Sequence, residues 1–186
     1  METALLTGLG LAAPAGLNAY IPLLALGIAD RATDRVTLAA PFDVLASTPV
    51  ILLLLVLLTI EIVVDKIPGV DHLNDLVQTI IRPAAGAILM LAATSQQVQI
   101  SPVLMAILGI LAAGSLHAAK AATRPAVTVG SAGLFNPLVS MGEDMLAVIA
   151  SIAAIFVPVL AVLFVVVLLA LAVWLVLRAR RMAKPM

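Results

Sequence analysis

Cysteine is absent from the 186 residues, charge is scarce at 11% with ten basic and ten acidic side chains, and only 3% of the residues are aromatic. The missing cysteines exclude a disulfide framework and any thiolate metal site or nucleophile. A nucleic-acid surface needs a basic patch and stacking rings, and zero net charge with so few rings excludes that class as well. What the chain does have is apolar side chains, 63% of the total, and a mean hydropathy of +1.23. Soluble domains run near about 45 to 50% apolar and about 25% charged, so this much apolar surface has to be dissolved in lipid.

Six spans are about the most this length can hold, each needing roughly 20 apolar residues. Val157 to Leu177 carries no charge and is followed at once by Arg178, Arg180, Arg181 and Lys184. The uncharged run continues back to Met145, too far for a single crossing, so Pro158 is the expected turn of a helical hairpin. The other expected spans are 5–28, 50–66, 73–96, 102–122 and 134–157, with 158–177 the sixth and 178–186 a basic tail. Pro14, Gly16 and Pro22 interrupt the first, Pro83 falls inside the third, and a Gly and Pro rich stretch leads into the fifth. Ala126 to Pro137 reads either as part of a span or as a re-entrant loop. The fold expected is all-α, a polytopic membrane bundle in one domain with broken first and fifth helices.

Six spans place both termini on one side. The basic tail marks that side as cytoplasmic by the positive-inside rule, with Lys66, Arg82, Lys120 and Arg124 facing the same way. The expected location is the cytoplasmic (inner) membrane. Arg31 and Arg35 fall outside, in a DRATDR stretch where Asp30 and Asp34 balance them. Two echoes suggest an internal repeat: Ala15-Gly16-Leu17-Asn18 with Ala132-Gly133-Leu134 and Asn136, and Arg82-Pro83-Ala84 with Arg124-Pro125-Ala126. Paired interruptions of this kind mark broken helices at transporter sites, although small residues also serve close helix packing.

Glu61 lies about twelve residues into its span, where an ionised carboxylate costs roughly 2.5 to 3.5 kcal/mol on insertion scales. Asp65, four residues on, shares its helix face. Two such carboxylates require a held proton, or a cation or basic side chain between them. The run continues with Asp71, His72 and Asp75, whose oxygens and imidazole suit a divalent cation, while Asp71 and Asp75 also suit the start of a helix. His117, Lys120 and Arg124 fall at i, i+3 and i+7 as a polar stripe that, with Arg82, supplies countercharge or receives an anionic lipid phosphate. Snorkelling alone accounts for Arg124. Asn18, Tyr20, Asn136, Glu143 and Asp144 form a second rank of polar groups near the interrupted segments.

GLNAYIPLL from Gly16 to Leu24, Glu61 with VDKIPGVDHLND from Val64 to Asp75, RPAAGA from Arg82, HAAKAATRP from His117 and GLFNP from Gly133 together resemble the DUF4126 family of small membrane proteins. The resemblance covers almost the whole chain. It implies an all-helical integral membrane protein of bacterial type and supplies no substrate.

Enzyme signatures are missing: there is no HExxH pair, and Gly130-Ser131-Ala132-Gly133 lacks the spacing of a nucleophile elbow. The expected function is a small transporter or channel for a cation, with proton coupling an option, acting as a homo-oligomer in the bilayer. Glu61 and Asp65 would bind the ion or proton, with Asp71, His72 and Asp75 at the mouth. No cofactor is expected beyond a bound divalent cation, and no nucleic-acid partner. The alternatives are an anionic lipid or phosphate handling protein using Arg82, His117, Lys120 and Arg124, and a structural subunit whose charges only pair with one another.

Overall fold

The structure is a computed structural model that describes residues 2–65, 70–96, 101–131 and 133–182. The described residues form α1 (Glu2–Ala12), α2 (Tyr20–Ala32), α3 (Thr48–Val64), α4 (Val70–Thr94), α5 (Pro102–Ser131), α6 (Asn136–Phe156) and α7 (Pro158–Met182), with no strand among them. Prolines open several of these helices. Pro49 and Pro137 stand in the first turns of α3 and α6, and Pro102 and Pro158 begin α5 and α7, where a missing N–H removes no intrahelical bond. Val157 is the single residue between α6 and α7, so the turn falls where Pro158 predicts it. Pro83 and Pro125 sit inside α4 and α5, which run on through them. Each removes the N–H that would bond four residues back, at Thr79 and Ala121. Residues 126–131 are therefore helix and not a re-entrant loop. The chain turns only at Gly133, whose φ of 81° is the left-handed region that favours glycine, and α6 follows unbroken.

The expected crossing over 5–28 folds back on itself. α1 ends at Ala12, a short 3-10 turn covers Pro14–Gly16, and α2 starts again at Tyr20. One cavity is lined by Thr3 and Thr7 at the start of α1 and by Asp34 to Thr37 just after α2. A straight helix from Thr3 to Asp34 would separate them by about 46 Å. α1 and α2 are thus the two arms of a re-entrant hairpin, with both mouths at one end of the bundle and the tip inside. The reversal is made possible locally by Gly16, whose absent Cβ would collide with the Ala113 carbonyl and the His117 amide of α5. Nearly every residue from Thr7 to Leu24 is buried.

Helix directions follow from contacts at the hairpin's open end. Arg31 Nη1 donates to Thr48 Oγ1 at 3.1 Å, so α3 starts there and runs away. α4 returns, and Gln96 Nε2 donates to the Thr37 carbonyl at 3.2 Å. α5 runs away, α6 returns, and α7 leaves from Pro158 in the wall of the same cavity. Five helices traverse the bundle beside the hairpin. The first apolar stretch thus makes two half-passes in place of one full one, and the chain enters at α1 and leaves along α7 towards opposite ends of the bundle.

Leu76–Thr94, Pro102–Ser131 and Asn136–Phe156 are long and apolar enough to cross a membrane, while Thr48–Val64 and Pro158–Leu171 are shorter apolar helices. At 17 residues α3 is about 25 Å long, close to the roughly 30 Å of hydrocarbon. Its outer surface is bare: Leu52, Leu53, Leu55, Val56, Ile60 and Val63 are exposed, and only Leu54 and Glu61 are buried. Lipid suits such a helix as it suits no other solvent. α4 and α5 cross with Gly86 against Gly109, backbone to backbone, the close approach that small residues allow between membrane helices.

Candidate functional site

Four helices, α3 to α6, bring their ionisable side chains to one place inside the bundle. Glu61 is the one buried polar residue of α3 proper, and α4 answers it with Arg82: Nη2 lies 3.0 Å from Glu61 Oε1, with relative exposures of 0% and 2%. Arg82 Nη1 donates to His117 Nδ1 at 2.9 Å. Because a guanidinium only donates, His117 accepts there, and in its neutral form the ring proton lies on Nε2, 3.1 Å from Thr79 Oγ1. Glu61 Oε2 and Gln78 Oε1 are buried and have no hydrogen-bond partner among the described residues.

One turn towards the far end, Asp65 caps α3 and faces two cations of α5, Lys120 Nζ and Arg124 Nη2, each 3.6 Å from its Oδ2. Both cations also hold Glu143 Oε2 of α6, each at 2.9 Å. Neutral groups complete the Asp65 shell, with Asn74 Nδ2 donating to Oδ1 at 2.7 Å and Ser140 Oγ to Oδ2 at 3.2 Å. Buried ion pairs repay desolvation only when further hydrogen bonds satisfy the remaining lone pairs, and Asp65 meets that condition.

The hairpin tip docks onto this network. Lys120 Nζ donates to the Leu17 carbonyl at 3.3 Å, and Asn18 Nδ2 donates to Asp144 Oδ1 at 2.9 Å. The same Asn18 turns its Oδ1 to the backbone N–H groups of Tyr20 and Ile21, at 3.0 and 3.2 Å, so one side chain starts α2 and ties it to α6.

Among the residues expected at a site, Glu61, Asp65, Arg82, His117, Lys120, Arg124, Glu143, Asp144, Asn18 and Tyr20 are therefore together. Asn136 sits slightly apart, accepting from Thr128 Oγ1 at 3.2 Å beside the turn between α5 and α6. Glu61 and Asp65 share a face, as their spacing requires, and basic side chains stand against each. Asp71, His72 and Asp75 fall in the first turns of α4, and their side chains lie outside the described residues, as does Lys66. No group of three or more His, Asp or Glu side chains able to hold a metal occurs among the described residues.

Of the neutral members, Asn74, Gln78 and Ser140 stand in polar stretches of the sequence without being expected at the site, and Thr79 and the Leu17 carbonyl are missed. Asn74, Gln78 and Arg82 at i, i+4 and i+8 are the available signal, one stripe down α4. A backbone carbonyl leaves none. The internal echoes divide in the same way. Arg82-Pro83 and Arg124-Pro125 both put a buried, ion-paired arginine one residue before a helix-interior proline. Gly16-Leu17-Asn18 is a reversal deep in the bundle, whereas Gly133 makes a turn at its end.

No curated protein matches the chain, and no solved structure does. The family model described as Domain of unknown function (DUF4126) matches residues 5–178. Glu61, Arg82, Lys120 and Glu143, with the hairpin tip they surround, all fall inside that match, and the chain belongs to the DUF4126 family.

Proposed function

We propose that this protein is a small membrane transporter for a cation, coupled to protons, with the buried charge network as its coupling element. The observation that carries this reading is the meeting of a re-entrant hairpin tip with the Glu61, Asp65, Arg82, Lys120 and Glu143 charges. Transporters place interrupted helices and ionisable side chains at just such interior sites, because freed backbone groups and buried charges are tolerated only where they line a path. Four carboxylates, Glu61, Asp65, Glu143 and Asp144, face three basic side chains, Arg82, Lys120 and Arg124, and one histidine. A proton taken up by Glu61 at Oε2 removes the charge that holds Arg82, and Arg82 then turns to other partners. His117 stands next in line to feel that change. The basic tail after Leu177 orients the C-terminal end to the cytoplasm, which puts the open end of the hairpin outside, with Arg31 and Arg35.

An anionic lipid or phosphate held by Arg82, His117, Lys120 and Arg124 is the second reading. It ranks behind the first because Glu61, Asp65 and Glu143 already occupy these cations.

Flux through the purified protein in liposomes, scanned over protons, sodium, potassium, magnesium, manganese and zinc, tests the proposal. Transport abolished in Glu61→Gln, with the variant still folded, supports it. Transport and pH dependence unchanged in Glu61→Gln would remove Glu61 from the mechanism.

A further inference from the structure

At the end of the bundle away from the charge network there is a cavity of about 450 Å³. Its walls come from the start of α1, the loop after α2, the end of α4 and the junction of α6 with α7. Thr3, Thr7, Thr37 and Gln96 give it hydroxyl and amide groups, and Asp34 beside Arg35 adds two charges that cancel. Ala4, Val36, Ala93, Ile155, Phe156 and Pro158 form the other half of the wall; the volume is that of about fifteen waters, and the polar half can hold them. A dry apolar void would look different.

Just beyond the cavity wall, within one turn of Thr7, Ile155 and Pro158, lies a contact between small residues. Gly10 lies one turn below Thr7 on α1. A Cβ on Gly10 would come within 2.9 Å of the Ala154 Cβ and 3.0 Å of the Ala161 Cβ. Ala154 adjoins Ile155, and Ala161 lies one turn beyond Pro158, both of which line the cavity. Below that contact, fully buried Leu11 leads along α1 to Gly16 and then to Leu17, whose carbonyl receives Lys120. The rest of α1 and the 3-10 turn over Pro14–Gly16 therefore connect the cavity to the charge network, ten residues from Thr7 to Leu17.

We propose that this cavity is the outer mouth of the pathway, a water-filled vestibule that receives a small hydrated cation, and that the contact of Gly10 with Ala154 and Ala161 is its closed gate. The inference rests on the transport reading above and extends it to a second site. The vestibule recognises its ion by hydroxyl and amide dipoles, since its two charges offset one another, and selection by charge is left to Glu61. Opening needs α1 to draw away from α6 and α7 by roughly the thickness of a methyl group, which the absence of a side chain at Gly10 makes a small motion.

Because the chain has no cysteine, single thiols report without background. Full-length Thr7→Cys and Leu11→Cys, reconstituted in liposomes of known orientation, are treated with a membrane-impermeant maleimide. Thr7→Cys is expected to react at least tenfold faster than Leu11→Cys, from the N-terminal side only. A positively charged thiol reagent on Thr7→Cys should reduce sodium or proton flux at least tenfold. Gly10→Val, which props the contact apart, should bring Leu11→Cys to the rate of Thr7→Cys. Thr7→Cys inert from both sides, or equal rates at the two positions without the Gly10 change, overturns the proposal. The expected labelling with no flux of any ion overturns the transport reading alone, and the cavity then stands as a gated aqueous pocket.

Discussion

Arg82 and Glu61 meet at 3.0 Å with both side chains almost wholly withdrawn from solvent. They join α3, most of whose surface is exposed and apolar, to the middle of α4. The pair explains how Glu61 can stand inside a lipid-facing helix: it is the one turn of α3 that has something polar to face.

Removing either partner strands the other. Arg82→Leu and Glu61→Leu are each expected to lower stability in detergent by about 3 to 5 kcal/mol, and the double change to recover much of it. Thermal unfolding of the two single variants and the double variant gives the coupling directly. Additive losses would mean the pair contributes nothing as a pair.

Lys120 touches Asp65, Glu143 and the Leu17 carbonyl, so it fastens the hairpin tip as well as two carboxylates. Lys120→Met should raise amide exchange across residues 13–19 at least tenfold, while Arg124→Met, which leaves the Lys120 bond to the Leu17 carbonyl in place, should raise it far less. Exchange followed by mass spectrometry separates the two.

The backbone contact of Gly86 with Gly109 makes a methyl group at either position an intrusion. Gly86→Ala is expected to lose about 1 to 3 kcal/mol by overpacking. Gly114→Ala, on the same α5 but with open space at its Cβ, should gain up to about 1 kcal/mol from helix propensity. Unfolding midpoints of the three proteins decide it.

Opposite termini have a simple signature. Short epitope tags at residue 1 and after residue 186 should be cut by added protease from opposite sides of sealed vesicles. Both tags cut from one side would restore six crossings and remove the re-entrant hairpin.

Much of the fold was legible, and its errors have one origin. Proline placement foretold the start of α3, the α6 to α7 turn and the interruption of the first apolar stretch. Hydropathy counts residues and not directions, however, so two half-passes of 11 and 13 residues looked like one pass. At the site, the charged members stood out because charge in lipid is costly. Their neutral partners did not: Ser140, Thr79 and Asn74 are ordinary residues in most helices, and only the placement of α4 and α6 gives them work.

The hairpin also orders the chain's own assembly. It is made from residues 2–32, ahead of α5 and α6 in the chain, yet its tip bonds to Lys120 and Asp144, at sequence separations of 103 and 126 residues. Until α5 and α6 are in place, the Leu17 carbonyl and the Asn18 amide have no protein partner at that depth, and hydrocarbon offers none. The hairpin tip therefore gains its partners only once α5 and α6, which follow it in the chain, are in place, so that for this element the order of synthesis and the order of docking run in opposite senses.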